Sequence, residues 1–321
     1  MSQVYNYTDP VNLGVAFLMA TIGTFGVICN SSIVCIFLKE KSEKTAFNTI
    51  CFFRATSNII ILTIAFLTNF LPKTLLGYSP YPDVIESWLI HISHTLYLGN
   101  EYQIVLIAIN RFCAVFLPTK YATIFSLFNI TIILVFIYIF RIAKKIYELL
   151  PESAKGCHAL FSTNSLTWYF STSPGCNSTE NALEMIKCTF IMMAILNFIT
   201  FLKILHSYKK SRKTETVVGA RKRMCKNILC FLQTILQDSL YFIDMTFTFK
   251  LSSWSTNRIW TYFSGTFVWE CLHSFDGFIM IIFNERLSFL KTKVKHINIL
   301  PIVGGHLRQR LVSLTTLSHL K

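Results

Sequence analysis

Asn110-Arg111-Phe112-Cys113-Ala114-Val115-Phe116-Leu117-Pro118-Thr119-Lys120-Tyr121 decides how this chain folds. It closes an apolar run, residues 88–109, whose only charged side chain is Glu101. A run of that length crosses the hydrocarbon core of a bilayer as a helix. An arginine at its end keeps the guanidinium at the water boundary while the stem lies along apolar surface. Pro118 and Tyr121 then turn the chain toward the next span. The stretch reads as the place where a membrane helix meets water.

Composition agrees. Of 321 residues, 53% are hydrophobic and 14% charged, and the mean hydropathy is +0.49. A soluble domain carries about 25% charged residues. Phenylalanine is abundant at 29 and glycine low at 12. These values imply an all-α membrane protein with one helical membrane domain. The net charge of +14 would fit nucleic acid, but its distribution follows membrane topology instead. Met1 to Asn12 is polar and lacks Lys and Arg, so a cleavable signal peptide is not expected and the first helix serves as its own insertion signal.

Six further runs meet the same length test. Residues 13–38 carry no charge, and residues 47–70 carry only Arg54. Residues 124–140 are uncharged but short, so that helix is expected to continue through 141–147. Residues 185–205 hold Lys187 and Lys203 near their ends. Residues 228–249 contain Asp238 and Asp244, and residues 259–283 contain Glu270 and Asp276. In lipid these segments must be helices, since the backbone finds no other partners and barrel-type alternation is missing. The expected organisation is an extracellular N-terminus (1–12), a seven-transmembrane helix bundle (13–290) and a cytoplasmic tail (291–321). Phe283, Leu287 and Leu290 share one face of a short amphipathic helix after the seventh span, expected along the inner leaflet.

Basic residues set the orientation. With the N-terminus outside, the inner segments hold twenty Lys and Arg and the outer segments seven. The fourth helix runs against this bias, because its outer end carries Arg141, Lys144 and Lys145. Two glycosylation sequons, at Asn6 and Asn177, fall on the outer side, while those at Asn30 and Asn129 lie in or beside the membrane and are discounted. Of ten cysteines, only Cys157 and Cys176 sit in a polar outer loop. An oxidising face favours joining them, which would stabilise the loop by ~3 kcal/mol on the chain-entropy model.

The opening stretch resembles the Asp-Arg-Tyr motif of rhodopsin-like G-protein-coupled receptors, with Asn110 in place of the acid and Phe112 in place of the tyrosine. Three other stretches join it: Cys157 to Cys176 around Trp168; Phe231-Leu232-Gln233 with Gln237-Asp238; and Trp269 through His273 to Asp276-Gly277-Phe278-Ile279-Met280 and Phe283-Asn284. In their order the four resemble a nematode chemoreceptor of the serpentine receptor class X family. The resemblance implies a rhodopsin-like seven-helix receptor in the plasma membrane of sensory-neuron cilia, with a small-molecule ligand and a heterotrimeric G protein as partners. It implies that Asn110, Arg111, Phe112, Pro118 and Tyr121 serve G-protein coupling. Asn110 cannot hold Arg111 by a salt bridge, so a clamp of that kind is weaker here. Most rhodopsin-like receptors tie the second outer loop to the third helix by a disulfide, but no cysteine lies between Cys51 and Cys113.

Polar residues inside a bundle are costly and face its interior. Asn30, Asn58 and Asp276 stand where rhodopsin-like receptors keep a polar switch cluster. Gly277 replaces the proline after the seventh-helix acid, and Met280 the tyrosine. A neutral Asn58 makes a sodium ion there less favoured. The plainer readings are a static hydrogen-bond network for the cluster, a snorkelling arginine for Arg111, and simple topology for the basic loop 206–227. Counting back about five turns from Arg111 places Ser93, His94 and Tyr97 in the outer half of the third helix. Trp269, Glu270 and Asp238 or Asp244 reach similar depth from the last two helices, and together they form a candidate ligand pocket. Glu101 lies deeper and reads as structural. The outer half of the sixth helix lacks a proline, so the kink mechanism of rhodopsin-like receptors does not transfer.

Other chemistry is not signalled. His-Glu-x-x-His, Gly-x-Ser-x-Gly and glycine-rich phosphate loops do not occur, and Cys225 and Cys230 lack zinc spacing. Neither a cofactor nor a metal is expected, nor nucleic acid as a partner. The rival class is a seven-helix transporter or ligand-gated channel, against which stand the lack of an internal repeat and the small number of glycine and proline interruptions.

Overall fold

The computed structural model describes residues 9–170, 180–214 and 217–284. Asn6, Cys176, Asn177, the expected amphipathic helix from residue 285 onward and the tail lie outside them. By its contacts the chain divides into residues 1–281 and 282–321, and the helix bundle with its sites makes up the first of these units.

Seven long helices are present among the described residues. The first, Pro10–Lys39, is capped by the Asp9 carboxylate, which accepts from the Val11 N–H at 3.0 Å. Pro10 fits the first turn, where no N–H partner is needed. The second, Ala46–Leu76, starts on a Thr45 cap and ends at Gly77, whose φ of 78° suits glycine. It runs past the expected end at residue 70. Pro72 lacks an N–H and crowds the preceding turn, and the helix widens to a π-type winding over Leu62–Phe70 just before it.

The third helix, Asp83–Phe116, is longer than the expected 88–109. Nothing breaks it until Pro118, so Arg111 sits inside its last two turns rather than beyond its end. A short connecting helix, Pro118–Ile124, leads to the fourth, Leu127–Ala154. The fourth extends well past residue 147. Arg141, expected at a basic outer end, is buried, with its guanidinium 5.8 Å from the Tyr102 ring centroid. The fifth helix is Glu180–Thr214. The sixth is Val217–Thr246, continued by π-type turns over Phe247–Leu251. The seventh, Arg258–Phe283, starts on an Asn257 cap.

Between the fourth and fifth helices lies a hairpin that the sequence reading did not anticipate. Strand β1, Ala159–Ser162, pairs antiparallel with β2, Thr167–Phe170, in the register Ala159↔Phe170 and Phe161↔Trp168. The available signal was the polar turn Thr163-Asn164-Ser165 followed by the strand-favouring run Thr167-Trp168-Tyr169-Phe170.

Five of the seven helices are long and apolar enough to cross a membrane by composition. The third and sixth are not, and burial explains it. Ser93, Asn100, Glu101, Gln103 and Asn110 on the third, and Gln233, Gln237, Asp238 and Asp244 on the sixth, all point into protein. Lipid-type surface appears elsewhere, for example Phe128, Phe136, Ile139 and Phe140 on the fourth helix. An aromatic core of Phe66, Phe70, Tyr241 and Trp269 is joined from the hairpin by Phe161, which stacks on Phe70. A smaller core of Ile50, Ile107, Ile130 and Leu134 lies toward the Arg111 end. The first and seventh helices approach closely through glycines. A Cβ at Gly26 would overlap Ser274, and one at Gly277 would overlap Asn30.

Candidate functional site

Three sites lie along the third helix: a polar centre, a cavity under the hairpin, and the Arg111 end. At the centre Asp276 gathers donors from two other helices. Arg54 Nε donates to Oδ2 at 2.8 Å, and Arg54 Nη2 lies 2.7 Å from Oδ1. Asn58 Nδ2 donates to Oδ2 at 2.8 Å, and Gln237 Nε2 to Oδ1 at 2.8 Å. The Arg54 guanidinium also stands 4.9 Å from the Tyr241 ring centroid. Arg54 and Asp276 are both fully buried. Two-point arginine–carboxylate contact of this kind is the form in which a buried ion pair can offset its desolvation.

Asn58 extends the network. Its Nδ2 also reaches Asn30 Oδ1 at 3.2 Å, and its Oδ1 accepts from Asn100 Nδ2 at 2.9 Å. His273 Nδ1 lies 2.8 Å from the same Oδ1, which only accepts, so Nδ1 carries the proton. Asn30 Nδ2 donates to Gly26 O at 2.8 Å and His273 O at 3.1 Å. Tyr138 on the fourth helix joins by donating to Asn100 Oδ1 at 2.9 Å. Asn30, Asn58 and Asp276 are thus brought into one hydrogen-bonded group. Sequence reasoning missed Arg54 as its fourth member. The signal was the lone charge in residues 47–70, which must find a partner if it is not to sit unpaired in the bundle.

The cavity lies between the hairpin and the third, sixth and seventh helices. His91, His94 and Tyr97 come from the third helix, Trp168 and Phe170 from β2, Asp244 and Phe249 from the sixth, and Trp269 from the seventh. Rings pack around it: His91 on Phe170 at 6.0 Å and His94 on Tyr97 at 6.1 Å. Tyr97 Oη donates to Asp244 Oδ2 at 2.9 Å. Of the expected pocket residues, His94, Tyr97 and Trp269 line this cavity and Ser93, Asp238 and Glu270 do not. Ser93 donates to Leu89 O within its own helix. Asp238 lies more than a turn from Asp244 and accepts from Asn197 on the fifth helix at 2.9 Å. Glu270 faces the first helix, its Oε1 3.0 Å from where a Cβ on Gly23 would stand.

The hairpin is fastened without a bond to a third-helix cysteine. Glu86 Oε1 accepts from the Phe161 N–H at 2.6 Å while Lys73 Nζ lies 2.8 Å from both its oxygens. Ser87 Oγ accepts from the Ala159 N–H at 3.0 Å. Arg258 binds the hairpin turn at Thr163 O (2.7 Å), Asn12 Oδ1, and Asp9 Oδ2 at 2.5 Å. The Val11 N–H, and next Arg258, hold the Asp9 carboxyl below its ordinary value. Cys157, at the start of the hairpin, is disulfide-bonded; its expected partner, Cys176, lies outside the described residues.

At the opposite end Asn110 accepts from Tyr121 Oη at 3.0 Å. The residue standing in the acid's place therefore braces the connecting helix. Burial raises the Tyr121 phenol above 10, so it remains a donor at neutral pH. The Arg111 guanidinium, half-buried, lies 5.6 Å from the Phe47 ring centroid. Phe112 stacks on Phe116 at 4.4 Å, and Pro118 opens the connecting helix. The five residues expected for coupling thus share one end of the bundle.

Comparison with known proteins fits this arrangement. Residues 20–284 match a family model described as serpentine-type 7TM GPCR chemoreceptor Srx. The chain is 23% identical over 292 residues to serpentine receptor class X 45 of Caenorhabditis elegans, covering 84% of this chain and 78% of that one. The fold is similar to squid rhodopsin, with a TM-score of 0.70 at 13% identity, over 90% of this chain and 81% of the other.

Proposed function

Since this chain belongs to the Srx family of serpentine seven-transmembrane chemoreceptors, and is thus a multi-pass membrane receptor of rhodopsin-like fold, we propose that it binds an external small molecule under the hairpin and activates a heterotrimeric G protein at the Arg111 end. The orientation this requires is N-terminus outside, in the plasma membrane, as the distribution of Lys and Arg indicates. One observation carries the reading. The cavity and Arg111 occupy opposite ends of one helix, His94 and Arg111 being roughly 26 Å apart at 1.5 Å per residue. The Asp276 network lies between them and links the first, second, third, fourth, sixth and seventh helices.

The mechanism is a shift of population. A ligand that binds one arrangement of the helices more tightly favours it by that difference in affinity and no more. The side chains best placed to feel it are Tyr97 and Trp269, which line the cavity and also pack on His273 at 5.9 and 6.2 Å. His273 in turn binds Asn58. Opening at the far end frees Arg111 from the Phe47 ring for a G protein. In cells expressing the receptor, Arg111→Ala is expected to abolish ligand-evoked G-protein activation while surface expression persists. Unchanged activation would remove Arg111 from the mechanism.

A further inference from the structure

Four buried carboxyl groups, Glu101, Asp238, Asp244 and Glu270, have oxygens without a hydrogen-bond partner. Asp244 alone of the four lines the cavity. It is 3% exposed. Its Oδ2 is taken by Tyr97, whereas Oδ1 meets neither a donor nor solvent. Other acids toward the hairpin end have cations at hand: Lys73 for Glu86 and Arg258 for Asp9. Among the described residues no basic side chain forms an ion pair with Asp244. A buried carboxylate in that state is costly, and the cost is relieved by whatever brings a donor and a positive charge to it.

The walls narrow the chemistry. Trp168, Phe170, Phe249 and Trp269 present aromatic rings around the space that Asp244 faces. Such faces attract an ammonium group and accept an apolar body equally well. An anionic ligand would meet the carboxylate. A purely apolar one would leave Oδ1 as it is. We infer that the cavity selects a small monoamine, its ammonium on Asp244 Oδ1 and its alkyl or aryl body between the hairpin aromatics and Trp269. This rests on the reading of the cavity as the ligand site.

The test uses the full chain in phosphatidylcholine nanodiscs, with no G protein present. The probes are a panel of monoamines from isobutylamine to tryptamine, each paired with the alcohol of the same carbon skeleton. Binding is read as a Kd and as a rise in melting temperature. At least one amine is expected to bind about tenfold more tightly than its alcohol, and Asp244→Asn is expected to erase that preference. The wild-type amine–alcohol comparison needs no variant, so a poorly folding Asp244→Asn does not blunt it. Equal binding of amine and alcohol overturns the inference, as does failure of every amine, or a preference that survives in Asp244→Asn. Binding of alcohols alone, lost in Trp168→Ala, would refute the amine and leave the cavity as the ligand site. Amines and alcohols that bind wild type and Trp168→Ala alike would refute the cavity itself.

Discussion

Asp276 and Asp244 are both buried aspartates on the last two helices, and their surroundings treat them oppositely. Asp276 meets a guanidinium and two carboxamide donors, and both its oxygens are in use. Asp244 meets one phenol and keeps an oxygen vacant at the edge of a cavity. Burial alone therefore does not mark a functional carboxylate. What sets Asp244 apart is a vacant oxygen together with a place on the cavity wall, because an unsatisfied acid leaves a demand that an incoming molecule can meet only where it can reach.

The largest way to break this contrast is to make the centre resemble the cavity. Arg54→Met leaves Asp276 buried without its cation, and a loss of about 3–5 kcal/mol is expected. Thermal inactivation of the purified receptor reads it, and adding Asp276→Asn to the same chain should recover much of the loss. No recovery would mean that packing, not charge, makes Arg54 matter. Next comes the roof. Glu86→Gln removes the charge that Lys73 and the Phe161 N–H share, at about 2 kcal/mol. Faster ligand release should accompany the loss of stability, since the strand carrying Trp168 pairs with the one that Glu86 holds.

A smaller change sharpens the contrast at Asp244 itself. Tyr97→Phe takes away its one hydrogen-bond donor, at about 1 kcal/mol. Melting should fall slightly while the hold on an ammonium ligand is kept or strengthened. The smallest effect concerns Asp9, partly exposed at the first-helix cap. Its lowered carboxyl makes its contribution complete above about pH 3.8, and lost as pH falls below that. The melting difference between wild type and Asp9→Asn should accordingly shrink under acid.

Much of this was legible before any coordinates. Length and apolarity mark all seven spans, and the third and sixth prove the more polar because their polar residues face protein. Asn30, Asn58 and Asp276 stand out because polar residues in apolar runs need partners. Depth along a helix can be counted from a sequence, whereas facing cannot. Ser93 and His94 differ by about 100° of rotation, as do Trp269 and Glu270, and in each pair one residue faces the cavity. The Arg54–Asp276 pair is 222 residues apart in sequence, so no local spacing announces it. Glu86 sits before the apolar run begins and reads as loop until the helix is seen to start at Asp83.

The fastening of the hairpin has a last consequence. Where other rhodopsin-like receptors use a covalent cross-link to the third helix, this chain uses a carboxylate, an ammonium and two backbone amides. Reductants leave such a fastening intact. Its carboxylate is fully buried and its ammonium nearly so, with side-chain exposures of 0% and 13%. Dissolved ions screen a pair so placed only weakly, so the hairpin should stay fastened over the cavity across a wide range of salt.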